Sequence, residues 1–140
     1  MILALTAIGE DALDIGGYDL KEKLDDFDTV TAQGLNGAVF ALLALNADSE
    51  ETDGELQHKI SELHFENRKK TDGGFSMDDN ADEADIDITA MTLQCLEAYS
   101  SEENVQQTID RGIEFLADAQ DADGGYTVYG EKVPNRYRRR

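Results

Sequence analysis

Apolar residues recur along this chain at spacings of three and four, the period of an α-helix rather than the alternation of a strand. Ala38 to Leu45 is eight apolar residues without a polar break. A helix that is apolar on every side has no face to offer water, so this one is expected to be buried nearly all round. Ile88, Met91, Cys95 and Tyr99 share one side of a second such helix, with Leu93 and Leu96 beside them. Two further segments are amphipathic: Leu56, Ile60 and Leu63 predict a helix running to about residue 68, and Val105, Ile109, Ile113 and Leu116 predict another. Each follows a capping-box pattern, Thr52-Asp-Gly-Glu55 and Ser100-Ser-Glu-Glu103, in which a hydroxyl and a carboxylate satisfy the free amides of a helix start. Leu20, Leu24 and Phe27 predict a short helix over 20–27. Met1 to Ile8 reads as the last turns of a helix ending at Gly9 with no capping residue before it, so the chain is expected to begin inside an element of a longer protein. Proline occurs once, at Pro134, which leaves nearly the whole chain free to be helical.

The order of these features repeats. An apolar helix, a capping box, an amphipathic helix and an Asp-Gly-Gly-aromatic loop occur twice. Asp72-Gly-Gly-Phe75 and Asp123-Gly-Gly-Tyr126 lie 51 residues apart (123 − 72). At that offset Leu42 meets Leu93, Leu45 meets Leu96, Ala47 meets Ala98 and Ser49 meets Ser100. A period near 50 residues with two helices per unit is the signature of stacked helical hairpins. The expected architecture is all-α: antiparallel helical hairpin repeats over 1–126, with units at roughly 31–75 and 82–126 and a partial unit before 31. Residues 127–140 read as an irregular tail, basic at its end through Arg136 and Arg138 to Arg140. The glycine pairs are expected to make sharp turns after the outer helices.

Charge narrows the function classes. The 31 acidic and 12 basic residues leave a formal charge of −19, which opposes a nucleic-acid backbone or an anionic lipid surface as partner. A hydrophobic share of 40% is enough for a packed core and argues against disorder. One cysteine, Cys95, excludes an intrachain disulfide. No apolar run reaches the length of a membrane span, and Met1 to Ile8 lacks the basic flank of a signal peptide.

These residues resemble a known family. Gln120-x-x-x-Gly124-x-Tyr126 resembles the glutamine-glycine-tryptophan repeat motif of squalene and oxidosqualene cyclases, and Lys69-x-x-x-Gly73-x-Phe75 resembles a degraded copy. Asp87-Ile-Thr-Ala-Met-Thr-Leu-Gln-Cys-Leu96 is similar to the inner helix after that loop in the prenyltransferase and squalene-oxidase repeat proteins. Ala4 to Gly9, Gly16-Gly-Tyr18 and Gln33 to Leu45 look most like the bacterial cell-surface branch of the superfamily. The resemblance covers about residues 1 to 126. It implies an α/α toroid, of which this chain supplies two full hairpins and part of a third, an incomplete ring. It also implies an extracellular or cell-surface location.

The family's chemistry does not carry over with the fold. Asp85-Ile-Asp87-Ile88-Thr-Ala90 resembles the Asp-x-Asp-Asp motif of class II terpene cyclases, whose middle aspartic acid protonates an alkene or epoxide. Asp87 stands at the donor position, but Ile88 replaces the last aspartate. The chain has no Trp to help line a carbocation cavity. Asp87 is instead expected at a helix start, where its charge meets the positive end of the helix. The zinc site of protein prenyltransferases is not matched: Cys95 lacks the Asp two positions before it, and His58 and His64 fall on the outer amphipathic helix. The thioester signature of complement-type relatives is missing, while vitamin B12 carriers bind by cavity shape and leave no short motif to test. Asp78 to Asp87 is acidic enough for calcium but breaks the EF-hand pattern at Glu83 and Thr89.

The expectation is therefore a segment with no catalytic residue, no metal and no cofactor. It binds a small molecule or protein, with Asp85, Asp87 and Tyr126 as candidate ligand contacts. Association with further repeats or with another copy is part of that expectation, and nucleic acid and membrane insertion are not. The alternatives are a fragment of a terpene cyclase or prenyltransferase-like enzyme and a structural spacer.

Overall fold

The structure is a computed structural model that describes residues 1–12, 14–24, 26–32, 34–47, 70–77, 81–128 and 131–133. These residues are mostly helical, as an all-α chain should be. The helices are α1 (Ile2–Ala7), α2 (Phe27–Thr31), α3 (Leu35–Asn46), α4 (Ile86–Leu96) and α5 (Glu103–Asp118). Short 3-10 turns precede α2 at Glu22–Leu24 and follow α4 at Glu97–Tyr99. The outer helix expected over 56–68, with its capping box, lies outside the described residues.

α3 is the centre of the packing. Leu35, Ala38, Val39 and Leu42 are fully buried, and Leu45 nearly so. α4 covers one side of it, adding Ile88, Cys95 and Leu96 to the same core, while α5 lies against α4 and adds Val105 and Ile109. A polar clasp fixes how α3 and α4 meet. The Asn46 side-chain amide donates to the Cys95 carbonyl at 3.0 Å, and the Tyr99 hydroxyl donates to Asn46 Oδ1 at 3.0 Å. A second, smaller core joins α1 to the other side of α3 through Ile2, Ala12 and Ala44.

α1 ends as its sequence predicts. Gly9 takes a positive φ of 79°, its amide bonds the Thr6 carbonyl, and the Glu10 amide bonds the Leu5 carbonyl, the paired bonds of a Schellman cap. Four other expectations need correction. The short helix expected over 20–27 is divided. Asp19 accepts from the amides of Lys21 and Glu22 to start the 3-10 turn, and Asp26 then caps α2 through the amides of Asp28 and Thr29. The Ser100 capping box does not form, because Ser100 closes the 3-10 turn onto Glu97 and Glu102 takes the N-cap position of α5. The buried face of α5 is Val105, Thr108, Ile109 and Gly112, which turns Ile113 out to 54% exposure. Gly112 decides this: a Cβ there would come within 2.6 Å of Leu93 Cδ2, so the bare backbone lets α5 close onto α4 under Leu93.

The fourth correction concerns the tail. Tyr126–Val128 (β1) and Glu131–Val133 (β2) form an antiparallel pair in register Tyr126 to Val133, where irregular chain was expected. Tyr, Thr and Val favour extended backbone, and three-residue strands are too short to show a period in the sequence. The arginine-rich end lies outside the described residues.

Among the described residues one buried side-chain group is unsatisfied. The Thr92 hydroxyl is fully buried on α4 and has no hydrogen-bond partner. A buried polar atom left unpaired costs about 1–3 kcal/mol. Thr92→Val keeps the branched shape and removes that atom, so it should raise stability by about 1 kcal/mol in urea unfolding. Leu42→Ala, in the same core, should lower it by about 2–5 kcal/mol. Leu93, only partly buried above Gly112, should cost less than Leu42 when cut to Ala.

Candidate functional site

The loop that leads into α4 is built around Phe75, which is fully buried. Its amide donates to the Thr89 hydroxyl at 2.9 Å, and its carbonyl accepts from the Asp85 amide at 2.7 Å. Thr89 in turn donates to the Asp85 carbonyl at 2.6 Å. Asp85 is the N-cap of α4, its Oδ1 accepting from the Ile88 amide at 2.9 Å. The glycine pair before Phe75 is set by more than φ. Gly73 has φ 91°, and a Cβ on it would meet the Arg111 carbonyl at 2.8 Å. A Cβ on Gly74 would meet Ala84 Cβ at 2.5 Å and the Phe115 ring at 3.0 Å. The pair is thus the contact by which this loop lies on α5.

The second Asp-Gly-Gly loop has the same internal bonds. Lys70 amide to Gly74 carbonyl (2.8 Å) is matched by Asp121 to Gly125 (2.8 Å), and Gly73 to Lys70 (3.1 Å) by Gly124 to Asp121 (2.7 Å). Asp72 Oδ1 accepts from the Gly74 amide at 3.0 Å, and Asp123 Oδ1 from the Gly125 amide at 3.1 Å. The carboxylate of each motif holds its own loop.

The three candidate contact residues stand in different settings. Asp85 is partly buried and engaged in its cap. Asp87, in the first turn of the same helix, is exposed, while Ile88 beside it is buried. Tyr126 is partly buried in β1, bridged to Gln120. Cys95 is fully buried, and burial pushes its thiol up to about 12. A buried thiol held protonated in this way is not a nucleophile near neutral pH. The Tyr99 phenol is likewise pushed up to about 12, mainly by burial. His58, His64 and Asp78 to Asn80 lie outside the described residues. Among the described residues there is no group of three or more His, Cys, Asp or Glu side chains placed to hold a metal ion.

A concave apolar surface lies elsewhere. An open groove of about 620 Å³ runs between α1, the 3-10 turn, α2 and α3. Gly37, Phe40, Ala41 and Ala44, at i, i+3, i+4 and i+7 of α3, line it along one helix stripe, with Leu3 and Leu24 among the residues opposite. None of Asp85, Asp87 and Tyr126 lines it. Phe40 is 50% exposed, the exception on a helix that is otherwise buried or partly buried all round, as its apolar sequence predicts. Leu3 is 40% exposed and Met1, at the groove's end, more so. The signal was present in the sequence: an apolar helix with no polar stripe must leave apolar surface open wherever a neighbour is lacking. No protein-family model, curated protein or solved structure matches this chain.

The roles of the two aspartates separate in a simple comparison. Asp85→Ala should lower stability by about 0.5–2 kcal/mol through loss of the α4 cap. Asp87→Asn should change it by less than about 0.5 kcal/mol, as an exposed surface change. Thermal or denaturant unfolding of both variants checks the assignment.

Proposed function

We propose that the chain is a non-catalytic, ligand- or protein-binding segment of a bacterial cell-surface or secreted α/α-toroid protein. The observation that carries the binding role is the apolar groove along α3, with Phe40 half-exposed on its floor. Isolated apolar side chains on a surface need no explanation, but a concave patch built from several elements is where partners and ligands bind. The toroid part of the reading is supported by the two Asp-Gly-Gly loops, which share three hydrogen bonds at an offset of 51 residues. The cell-surface part rests on the resemblance of residues 4–45 alone.

The same geometry weighs against catalysis. An acid that protonates an alkene needs its proton held in a dry site by neighbouring groups. Asp87 is exposed and Asp85 is engaged at a helix start. Among the described residues no helix is long and apolar enough to cross a membrane, so the groove is not part of a helical membrane span.

An uncharged environment-sensitive dye tests the groove directly. Nile red should gain fluorescence with the wild-type chain and lose most of that gain with Phe40→Asp, whose helical circular dichroism should be unchanged. Equal fluorescence from both proteins, or none from either, means the groove is not a binding site and leaves the spacer reading in its place.

A further inference from the structure

We propose that the groove along α3 receives an amphipathic helix of net positive charge supplied by another protein. This rests on the binding role argued above and names its partner. The first argument is shape. α3 already shows how a helix covers it, because α4 lies along its other side. There Val39, Leu43 and Asn46 form the stripe toward α4, fixed by the bonds of Asn46 to Cys95 and Tyr99. On the groove side the stripe is Gly37, Phe40, Ala41 and Ala44. Ala41 and Ala44 are already buried under the chain's own segments, so the open part of the stripe is Gly37 and Phe40, and the missing side chain of Gly37 leaves room beside Phe40 for a helix at the usual spacing of about 8–10 Å. Phe40 then fills the space between ridges of the incoming helix, the usual mode of a helix in an apolar groove.

The second argument is charge. Between residues 1 and 47 the sequence has eight acidic side chains and two lysines, a balance of −6. Asp19, Glu22, Asp26 and Asp28 flank the segments that line the groove. An incoming helix with lysine or arginine on its flanks gains from that field, and an acidic one is repelled.

The third argument excludes a second copy. Stacked head to tail, a copy would offer the far side of α4, the positions 51 residues after Val39, Leu43 and Asn46. These are Ala90, Gln94 and Glu97, and the last two are exposed and polar. Stacked groove to groove, two chains of charge −19 each would be brought together.

The probe is a labelled helical peptide of about 18 residues, roughly 27 Å long, with leucine at i, i+3, i+4 and i+7 positions and lysine elsewhere. Two controls accompany it: a glutamate-for-lysine twin, and a scramble of identical composition without the leucine stripe. Fluorescence anisotropy should show binding of the lysine peptide to the whole chain, with both controls at least about tenfold weaker, a difference of about 1.4 kcal/mol. Binding should weaken as salt rises. Phe40→Asp, or Leu3→Asp should the first variant fold poorly, should weaken binding at least about tenfold, and Phe40→Leu should retain it. A scramble that binds equally means charge alone, an acidic twin that binds equally means no charge selection, and either overturns the proposal. So does a wild-type chain that sediments as a dimer and is made monomeric by Phe40→Asp. Nile red bound in the groove without peptide binding overturns the helical partner and leaves the binding role standing. Failure of both removes both.

Discussion

α3 carries more apolar surface than its neighbours can leave in water, and α1, α2 and α4 are placed by the need to cover it. Burying one leucine or valine side chain is worth about 1.5–3 kcal/mol, and Leu35, Val39 and Leu42 are all fully buried on this one helix. α4 meets α3 through an apolar stripe and is held in register by Asn46, whose amide and carbonyl are both engaged by α4 and its 3-10 extension. α5 then has no need to touch α3 closely. It shields α4, and Gly112 lets it do so at short range. The cover stops at Phe40, and the groove is the part of α3 that this arrangement leaves open.

Much of this order was legible because helix period and burial are coupled. α3, α4 and α5 follow from runs and stripes of apolar residues, and the Schellman cap at Gly9 follows from one glycine after one apolar segment. The misreadings share a cause as well. Ser100 fits a capping box by residue type, yet the chain leaves α4 through a 3-10 turn that shifts the start of α5 by two residues. Ile113 fits a helix stripe by spacing, yet Gly112 draws α5 in on its own side and rotates Ile113 outward. In both cases the way α4 joins or meets α5, a 3-10 turn at Ser100 and a close contact at Gly112, is invisible to a one-dimensional pattern and outweighed the local preference. The candidate site was less legible than the fold. Asp85, Asp87 and Tyr126 were marked by motif, whereas the groove is made by residues with no motif, and Gly37 matters there for what it lacks.

The two glycine loops show how one local structure can serve two ends. Each is closed by the same three hydrogen bonds, and each has its second residue of the motif, Gly73 or Gly124, at positive φ. The first continues through a buried Phe75 into the cap and first turn of α4, so that Thr89, Asp85 and Phe75 tie loop to helix. The second continues through a partly buried Tyr126 into the short ribbon of β1 and β2. The loop alone does not decide whether a helix comes next; the residues after its aromatic do.

That difference agrees with the surfaces on either side of the α3–α4 pair. The positions of α4 and its 3-10 extension that correspond to the α4-facing stripe of α3 have become alanine, glutamine and glutamate, and the polar two of these are exposed. The positions on the opposite side of α3 have stayed apolar, and Phe40 among them is left open. A stack of equivalent helices would expose the same kind of surface at both ends. Here the far side of the pair is fit for water, whereas Phe40 and Leu3 leave apolar surface open in the groove, and the acidic residues in the segments that line it favour an incoming surface of positive charge.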